Sequence, residues 1–364
     1  MHYVINWRIS MNKKITFIAV MFLMASIFVT GARKEQEELY LKAVAEKDPE
    51  AKMGLLKEYV QKYGEKEDKW LRFIYLNLSD TAFKLKNYDE CIQNGEIALK
   101  GEEVDTANKL RVFFSLANSY YATKRDMDKA FEYAQSVIDI SRTLIQQTTQ
   151  TTQDQEQANQ FASNYKNFYV APAFRLQGLI LYFKDKDSPE NIKQAAGKAI
   201  EAYNEHNNDL YSQMAFSLAG NLAQKGQFDA AIDIAEKIID KQKPSFQEVD
   251  FLAKLYSKKK DKDKTLFYYE LAYKSKPTAD LAQKIGQLAS KKDVQKALQY
   301  FADAYVIGGM DKESEVYKFL EHLYFNEIAK DKTAEEKEAG FNEVINAAKT
   351  RRGISTHEDS AASI

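Results

Sequence analysis

Between residues 211 and 244 (YSQMAFSLAGNLAQKGQFDAAIDIAEKIIDKQKP) apolar and small residues recur in two bouts separated by a polar turn. Leu218, Ala219 and Leu222 fall on one face of the first bout. Lys225, Gly226 and Gln227 interrupt it, and Phe228 leads into Ala231, Ile232, Ala235 and Ile238. Spacings of three and four place such residues on one side of an α-helix, so the pattern predicts two helices joined by a short turn. Ala and Gly at the facing positions allow two antiparallel helices to approach closely. Pro244 follows the second helix, where its missing N–H no longer interrupts the hydrogen-bond ladder.

The arrangement returns along the chain. Leu252, Ala253 and Tyr256 precede Leu266, Tyr269, Ala272 and Pro277, and Ile285, Gly286 and Ala289 precede Ala297, Phe301 and Ala304. Leu218 to Leu252 is 34 residues and Leu252 to Ile285 is 33. Upstream, Leu78, Ala82 and Phe83 precede Tyr88, Cys91, Ile92, Ala98 and Leu99. Leu116, Ala117, Tyr120 and Tyr121 precede Ala130, Ala134 and Val137. A fixed period of this length marks a stacked repeat. These residues resemble the tetratricopeptide repeat family, whose unit reads W-x2-L-G-x2-Y, then A-x3-F and a late Pro. The resemblance covers residues 70–305. It implies an all-α fold, a right-handed α-solenoid of helical hairpins, and a groove lined by the first helix of each repeat.

The departures from that pattern are local. Trp is missing from the usual first-helix position, and the turn from Phe174, Gly178 and Tyr182 to Ala195, Ala199 and Ala202 is long and contains Asp187, Ser188 and Pro189. Residues 34–47 and 49–63 read as a leading hairpin, with Asp48 capping a helix that begins at Pro49. Residues 316–329 and 334–351 read as a charged closing pair, as expected of a terminal repeat with one uncovered face. The expected divisions are 33–145, a Thr/Gln-rich seam at 146–160 and 161–349, with a disordered tail at 350–364. The seam (QQTTQTTQDQEQANQ) is either a solvated extension of a long helix or a flexible joint, since Gln favours helix and Thr does not.

The N-terminus has a different character. Residues 15–29 (ITFIAVMFLMASIFV) are uncharged and mostly apolar, Arg8, Lys13 and Lys14 precede them, and the first acidic residue is Glu35. A positive start, a short apolar run and small residues at Thr30, Gly31 and Ala32 make an export signal over residues 1–32, with cleavage expected after Ala32. Met11 is an alternative start. The alternative reading is an uncleaved anchor, for which 15 apolar residues fall short of the roughly 20 needed to span a bilayer. Both readings place the rest of the chain outside the cytoplasm, periplasmic or secreted, with membrane contact only through an uncleaved segment. Without residues 1–32 the chain carries 49 Lys+Arg against 53 Asp+Glu, a net charge of −4.

Composition narrows the chemistry. Across 364 residues, 52 Lys+Arg nearly balance 53 Asp+Glu, so no basic face recommends a nucleic-acid partner. One Cys excludes a disulfide framework and a thiolate zinc site. Cys91 occupies a small-residue position of a second helix and reads as a packing thiol. His206 and His322 have no second His at i+4, and His2 and His357 lie near the ends. No nucleophile elbow, phosphate-cradling loop or His-Glu-x-x-His is present. Residues 258–264 (KKKDKDK) form a turn inside a hairpin, which has to be solvated in any case. No enzyme activity, cofactor or metal is expected.

In the register of the resemblance, first-helix positions that line the groove carry Phe83, then Arg111, Phe114, Asn118 and Tyr121, then Arg175 and Tyr182, then Phe216. Rings supply area, and Arg and Asn satisfy a peptide backbone or carboxylate, so these residues suit an extended peptide. The competing explanation is that they pack against a neighbouring helix or the Thr/Gln segment. Further along, Gln247, Asp250, Lys254 and Ser257, and then Asp280, Gln283, Gln287 and Ser290, hold the equivalent positions and offer little aromatic area. The resemblance thus implies a scaffold for a protein or peptide partner. A membrane-anchored assembly subunit of an envelope complex is the alternative, and an enzyme or small-ligand binder a more distant one.

Overall fold

A computed structural model describes residues 31–65, 70–100, 104–239 and 244–354, with side chains from Lys34 onward. The apolar N-terminal run and most of the expected tail lie outside the described residues, which contain helices and no strand. No helix among them is long and apolar enough to cross a membrane.

The helices follow the predicted bouts. They are α1 (Gly31–Ala45), α2 (Pro49–Tyr63), α3 (Leu71–Lys84), α4 (Tyr88–Leu99), α5 (Thr106–Thr123), α6 (Met127–Thr151) and α7 (Gln155–Tyr165). After α7 a π-helical turn (Lys166–Val170) leads into α8 (Ala171–Lys184). Then come α9 (Pro189–Glu205), α10 (Asp209–Gln224), α11 (Phe228–Ile238), α12 (Phe246–Lys258), α13 (Lys262–Ser275), α14 (Ala279–Ala289), α15 (Val294–Ile307) and α16 (Glu315–Leu323). A second π-helical turn (Tyr324–Ile328) precedes α17 (Ala334–Arg352).

Short polar side chains start most of them by accepting from orphan N–H groups of the first turn. Asp48, Asp105, Asp126, Ser188, Asp261, Thr278 and Asp293 each do so, and Ser245 with Glu248 completes a capping box. Each such cap contributes about 1 kcal/mol. Within three hairpins the turn places the residue before the second helix's cap in the left-handed region: Lys86 (φ 60°), Gly226 (φ 77°) and Lys260 (φ 62°). Gly adopts that conformation freely, whereas Lys bears a steric cost.

The chain divides into two compact units after Ile180, inside α8. This falls later than the division expected at the Thr/Gln seam. Through that seam α6 continues to Thr151, with Thr143, Thr149 and Thr151 hydroxyls bonded back to their own helix carbonyls. The helix then stops, and Asp154 caps α7 by accepting from Glu156 and Gln157 N–H. The segment is therefore two helices with a three-residue break.

In the first unit, α3 packs on α4 and α5 on α6, and Leu56, Tyr59, Ile74, Leu78, Ala82 and Cys91 form one core. Cys91 is fully buried beside Ser79, and burial pushes its thiol up, as befits a packing residue. In the second unit the small positions are enclosed as the sequence pattern requires: Ala215, Ala219, Ala231 and Ala235 have no exposed surface. A Cβ built on Gly286 would lie 2.9 Å from the Phe301 ring, so that pair of helices meets where only Gly fits. At the C-terminal end α17 lies against α15, and α17 extends to Arg352, slightly past the boundary expected at 349. Asp303 of α15, fully buried, receives Arg351 at 2.9 Å, Arg352 at 2.5 Å and the Tyr273 hydroxyl at 3.0 Å.

Candidate binding face

Arg111, one turn into α5, reaches back to α3, where its Nη2 lies 2.6 Å from Asp80 Oδ2. Lys84, four residues along α3 from Asp80, takes the same oxygen at 2.7 Å, the i,i+4 geometry of a helix face. Burial pushes the Asp80 carboxyl up, but Arg111 and Lys84 outweigh it and hold the group below the ordinary carboxylate range. Lys52 of α2 donates to the Val44 carbonyl at 2.9 Å. Burial, and then Lys84 and Arg111, push its ammonium below the ordinary range. With Glu46 included, these side chains still carry net positive charge.

Beside the charges stands a run of rings. Phe114 meets Phe83 edge-on at 6.3 Å and Tyr169 edge-on at 5.6 Å. Tyr169 continues to Tyr165 at 5.5 Å, and Tyr165 stacks on Phe161 at 4.3 Å. Burial pushes the phenols of Tyr165 and Tyr169 up, and Tyr169 also feels Arg111 and Asp80. These residues form a half-buried aromatic strip edged by a cationic cluster, with each ring held at centroid separations typical of edge and offset contacts.

The other first-unit candidates are engaged in different ways. The Asn118 amide donates to the Phe114 carbonyl at 2.8 Å, so one of its donors serves its own helix. Tyr121 is half-buried; burial pushes its phenol up while Arg175 opposes the shift. In the second unit, Tyr182 accepts from the Asn221 amide at 3.3 Å, and Phe216 meets Phe251 edge-on at 6.1 Å. Of the polar positions downstream, Lys254 pairs with Asp250 and Lys284 with Asp280, both at 2.6 Å.

Asp80, Lys84, Tyr165 and Tyr169 belong to this face and were not among the sequence candidates. Asp80–Lys84 was readable as an i,i+4 pair, and Phe161, Tyr165 and Tyr169 recur at intervals of four. Their placement beside Phe114 was not readable, because it depends on the π-helical turn at 166–170, which shifts the helical register.

A second arrangement recurs, and the sequence reading missed it entirely. Glu96 of α4 accepts from the Tyr120 hydroxyl at 2.7 Å, the Tyr133 hydroxyl at 2.9 Å and Lys129 at 3.1 Å. In the second unit Glu236 of α11 accepts from Tyr256 at 2.6 Å and Tyr268 at 3.1 Å, with Lys264 at 3.6 Å. Each carboxylate comes from the second helix of one hairpin, and its partners come from both helices of the next. Burial pushes both carboxyls up, but the phenol and ammonium donors hold them below the ordinary range. Burial, then the Glu236 charge, pushes Tyr268 up to about 12. Gln135 stands at the equivalent of Glu96 and accepts from the Gln177 amide at 3.0 Å. Among the described residues no group of His, Cys, Asp and Glu is placed to hold a metal ion.

The consecutive antiparallel hairpins, their 34- and 33-residue spacing and the linkage of two second helices, through Glu96 and Glu236, to the next hairpin define a tetratricopeptide-type helical-repeat fold. No protein-family model matches the chain, and no curated protein does. Among solved structures it is similar to a tetratricopeptide repeat protein from Parabacteroides merdae, at 16% identity over 80% of this chain and 100% of that one, with a TM-score of 0.36. It is also similar to the apo form of RapI, at 15% identity over 79% and 97%, with a TM-score of 0.37. PilF of Pseudomonas aeruginosa is similar at 13% identity over 72% and 98%, with a TM-score of 0.32. Scores this low carry no functional argument, and the architecture rests on the chain's own packing.

Proposed function

We propose that the chain is an exported, non-catalytic scaffold that holds a protein or peptide partner against the first-helix face around Arg111. The observation that carries this reading is the pairing of a net-cationic cluster (Lys52, Lys84 and Arg111 around Asp80) with the adjoining Phe83–Phe114–Tyr169 strip. Rings supply apolar area at small entropic cost, and guanidinium and ammonium groups suit an acidic or carboxylate-bearing segment. Residues with displaced titration, such as Asp80, Glu96 and Glu236, are tied into ion pairs and phenol shells that join helices, which favours a scaffold over catalysis. Export rests on the signal-like residues 1–32.

The test starts with capture of partners by the chain from its own envelope fraction. Arg111→Ala with Tyr121→Ala should weaken capture by about 2–4 kcal/mol, with a smaller loss of stability because Lys84 keeps its ion pair with Asp80. Lys254→Ala with Gln287→Ala should leave capture unchanged. Equal loss from both pairs would remove the face assignment. The intact mass of the native protein tests processing: a chain beginning at Arg33 is expected, and one retaining residues 11–32 would replace export and release with anchoring.

A further inference from the structure

Glu270 of α13 stands nine residues after its helix cap, Asp261, as Glu96 does after Asn87 and Glu236 after Gln227. Lys296 of α15 meets it at 2.9 Å, so its charge is answered within the chain. Lys274, one turn further along α13, differs. It is exposed and makes no hydrogen bond or ion pair among the described residues. Phe267, Leu271 and Lys274 are spaced by four and three residues and so share a face of α13. That face lines a cavity of about 450 Å³, with Pro277 beyond the helix, Tyr300 from α15 and Arg352 from α17. Phe267 is 59% exposed, more than any other large apolar side chain described.

Arg352 is held in place from behind. Its Nε and Nη2 donate to Asp303 Oδ2 at 3.1 and 2.5 Å, and its guanidinium lies over the Tyr273 ring. A guanidinium has five N–H donors, and Nη1 makes no hydrogen bond among the described residues. A second cavity of about 590 Å³ shares Glu270, Gln299 and Tyr300 with the first and is lined by Lys296 and Arg351. Around the two stand four cations, Lys274, Lys296, Arg351 and Arg352, against three carboxylates, Glu270, Asp293 and the buried Asp303. The groove is thus net positive, with an exposed ring at its edge.

We propose that this groove docks a short acidic segment of a partner protein, in which a bulky apolar residue has Asp or Glu close by in the chain. The apolar side chain covers Phe267 and Leu271, and carboxylates reach Lys274 and Arg352 Nη1. Seven residues of helix set Lys274 about 10 Å beyond Phe267, a distance that about three residues of extended chain span. The groove belongs to the second unit and is built from the second helices of two hairpins and from α17. It therefore goes beyond the reading of the first-helix face around Arg111.

The probe is the peptide acetyl-Glu-Glu-Phe-Glu-Glu-amide, with acid on both sides of the ring so that either chain direction is served. It is titrated into the full chain and followed by NMR at the side-chain amide of Gln299, which lines both cavities. Replacing its four Glu by Gln, or its Phe by Ala, should weaken binding at least about five-fold. Lys274→Glu and Phe267→Ala should each do the same to the parent peptide, and should leave the urea midpoint nearly unmoved because both side chains are exposed. Arg111→Ala with Tyr121→Ala should leave the Gln299 response unchanged, so that failure at one face is read separately from failure at the other. No shift at Gln299, an equal response to the three peptides, or a response that either Lys274→Glu or Phe267→Ala leaves unchanged overturns the proposal.

Discussion

Replacing Asp303 with Asn would remove one negative charge and leave the shape of the core almost unchanged. The carboxylate has no exposed surface, and both its oxygens are occupied: Oδ1 by the Arg351 guanidinium, Oδ2 by Arg352 and the Tyr273 hydroxyl. Arg352 also lies over the Tyr273 ring at 4.7 Å. Breaking a buried ion pair from one side generally costs about 3–5 kcal/mol, because the partner is left uncompensated. Here the two guanidiniums are 36% and 21% exposed and turn partly to water, which places the cost near the lower end, about 3 kcal/mol. The loss should be local, because Arg351 and Arg352 are the last turn of α17 and hold it to α15. Urea unfolding gives the magnitude, and amide exchange gives the place: α17 should exchange freely while α10 and α11 stay protected. A double-mutant cycle of Asp303→Ala and Arg352→Ala should return a coupling above about 1 kcal/mol. A loss below 1 kcal/mol, or exchange that rises evenly along the chain, would refute the clasp.

Three further outcomes follow from geometry already given. Lys260→Gly relieves a left-handed side chain and should stabilise the chain by about 0.5–1 kcal/mol, read as a raised urea midpoint, whereas Lys262→Gly in α13 should lower it. Gly286→Ala forces a Cβ into Phe301 and should cost about 1–3 kcal/mol, while Gly220→Ala, with nothing within 4 Å, should stabilise by about 0.5–1 kcal/mol in the same assay. Glu96 and Glu236 have folded pKa values below the ordinary 4.5, so their stabilisation is present above that pH and is lost as pH falls through the folded values. Stability measured from pH 5 to 3 should therefore fall less steeply in Glu96→Gln with Glu236→Gln than in the native chain; an identical slope would contradict the assigned shells.

The hairpins were legible because their determinants are local. Small residues at a 34-residue spacing, turn residues such as Lys225–Gln227 and caps such as Asp48 act within one or two turns of chain. The long connection before Pro189 was legible for the same reason, with Ser188 capping and Pro189 opening α9. The Glu96 and Glu236 shells were not. Their phenols lie 24 and 37 residues from Glu96 in one case and 20 and 32 from Glu236 in the other, on different helices from the carboxylate. Nothing in a single helix's pattern distinguishes Glu96 from a solvated surface acid. Of the candidate face, the first-helix positions came from the register of the resemblance; what lies beside them was not legible. Phe114 faces Tyr169, which a π-helical turn brings there, and Arg111 is oriented by its ion pair with Asp80.

The hairpin formed by residues 245–277 carries both halves of the carboxylate linkage: Tyr256, Lys264 and Tyr268 receive the preceding hairpin's Glu236, and Glu270 is presented to the following one. It is thus a connector with matching ends. A tandem copy inserted directly after residue 277 would meet the first copy's Glu270 with a full set of two phenols and an ammonium, and would pass its own Glu270 to Lys296 and Tyr300 unchanged. The hairpin of α14 and α15 lacks this symmetry, since Ala302 stands nine residues after its cap where an outgoing carboxylate would be. Lengthening of such a chain by duplication is therefore open at one hairpin and closed at the next, and the Asp303 clasp occupies the closed end.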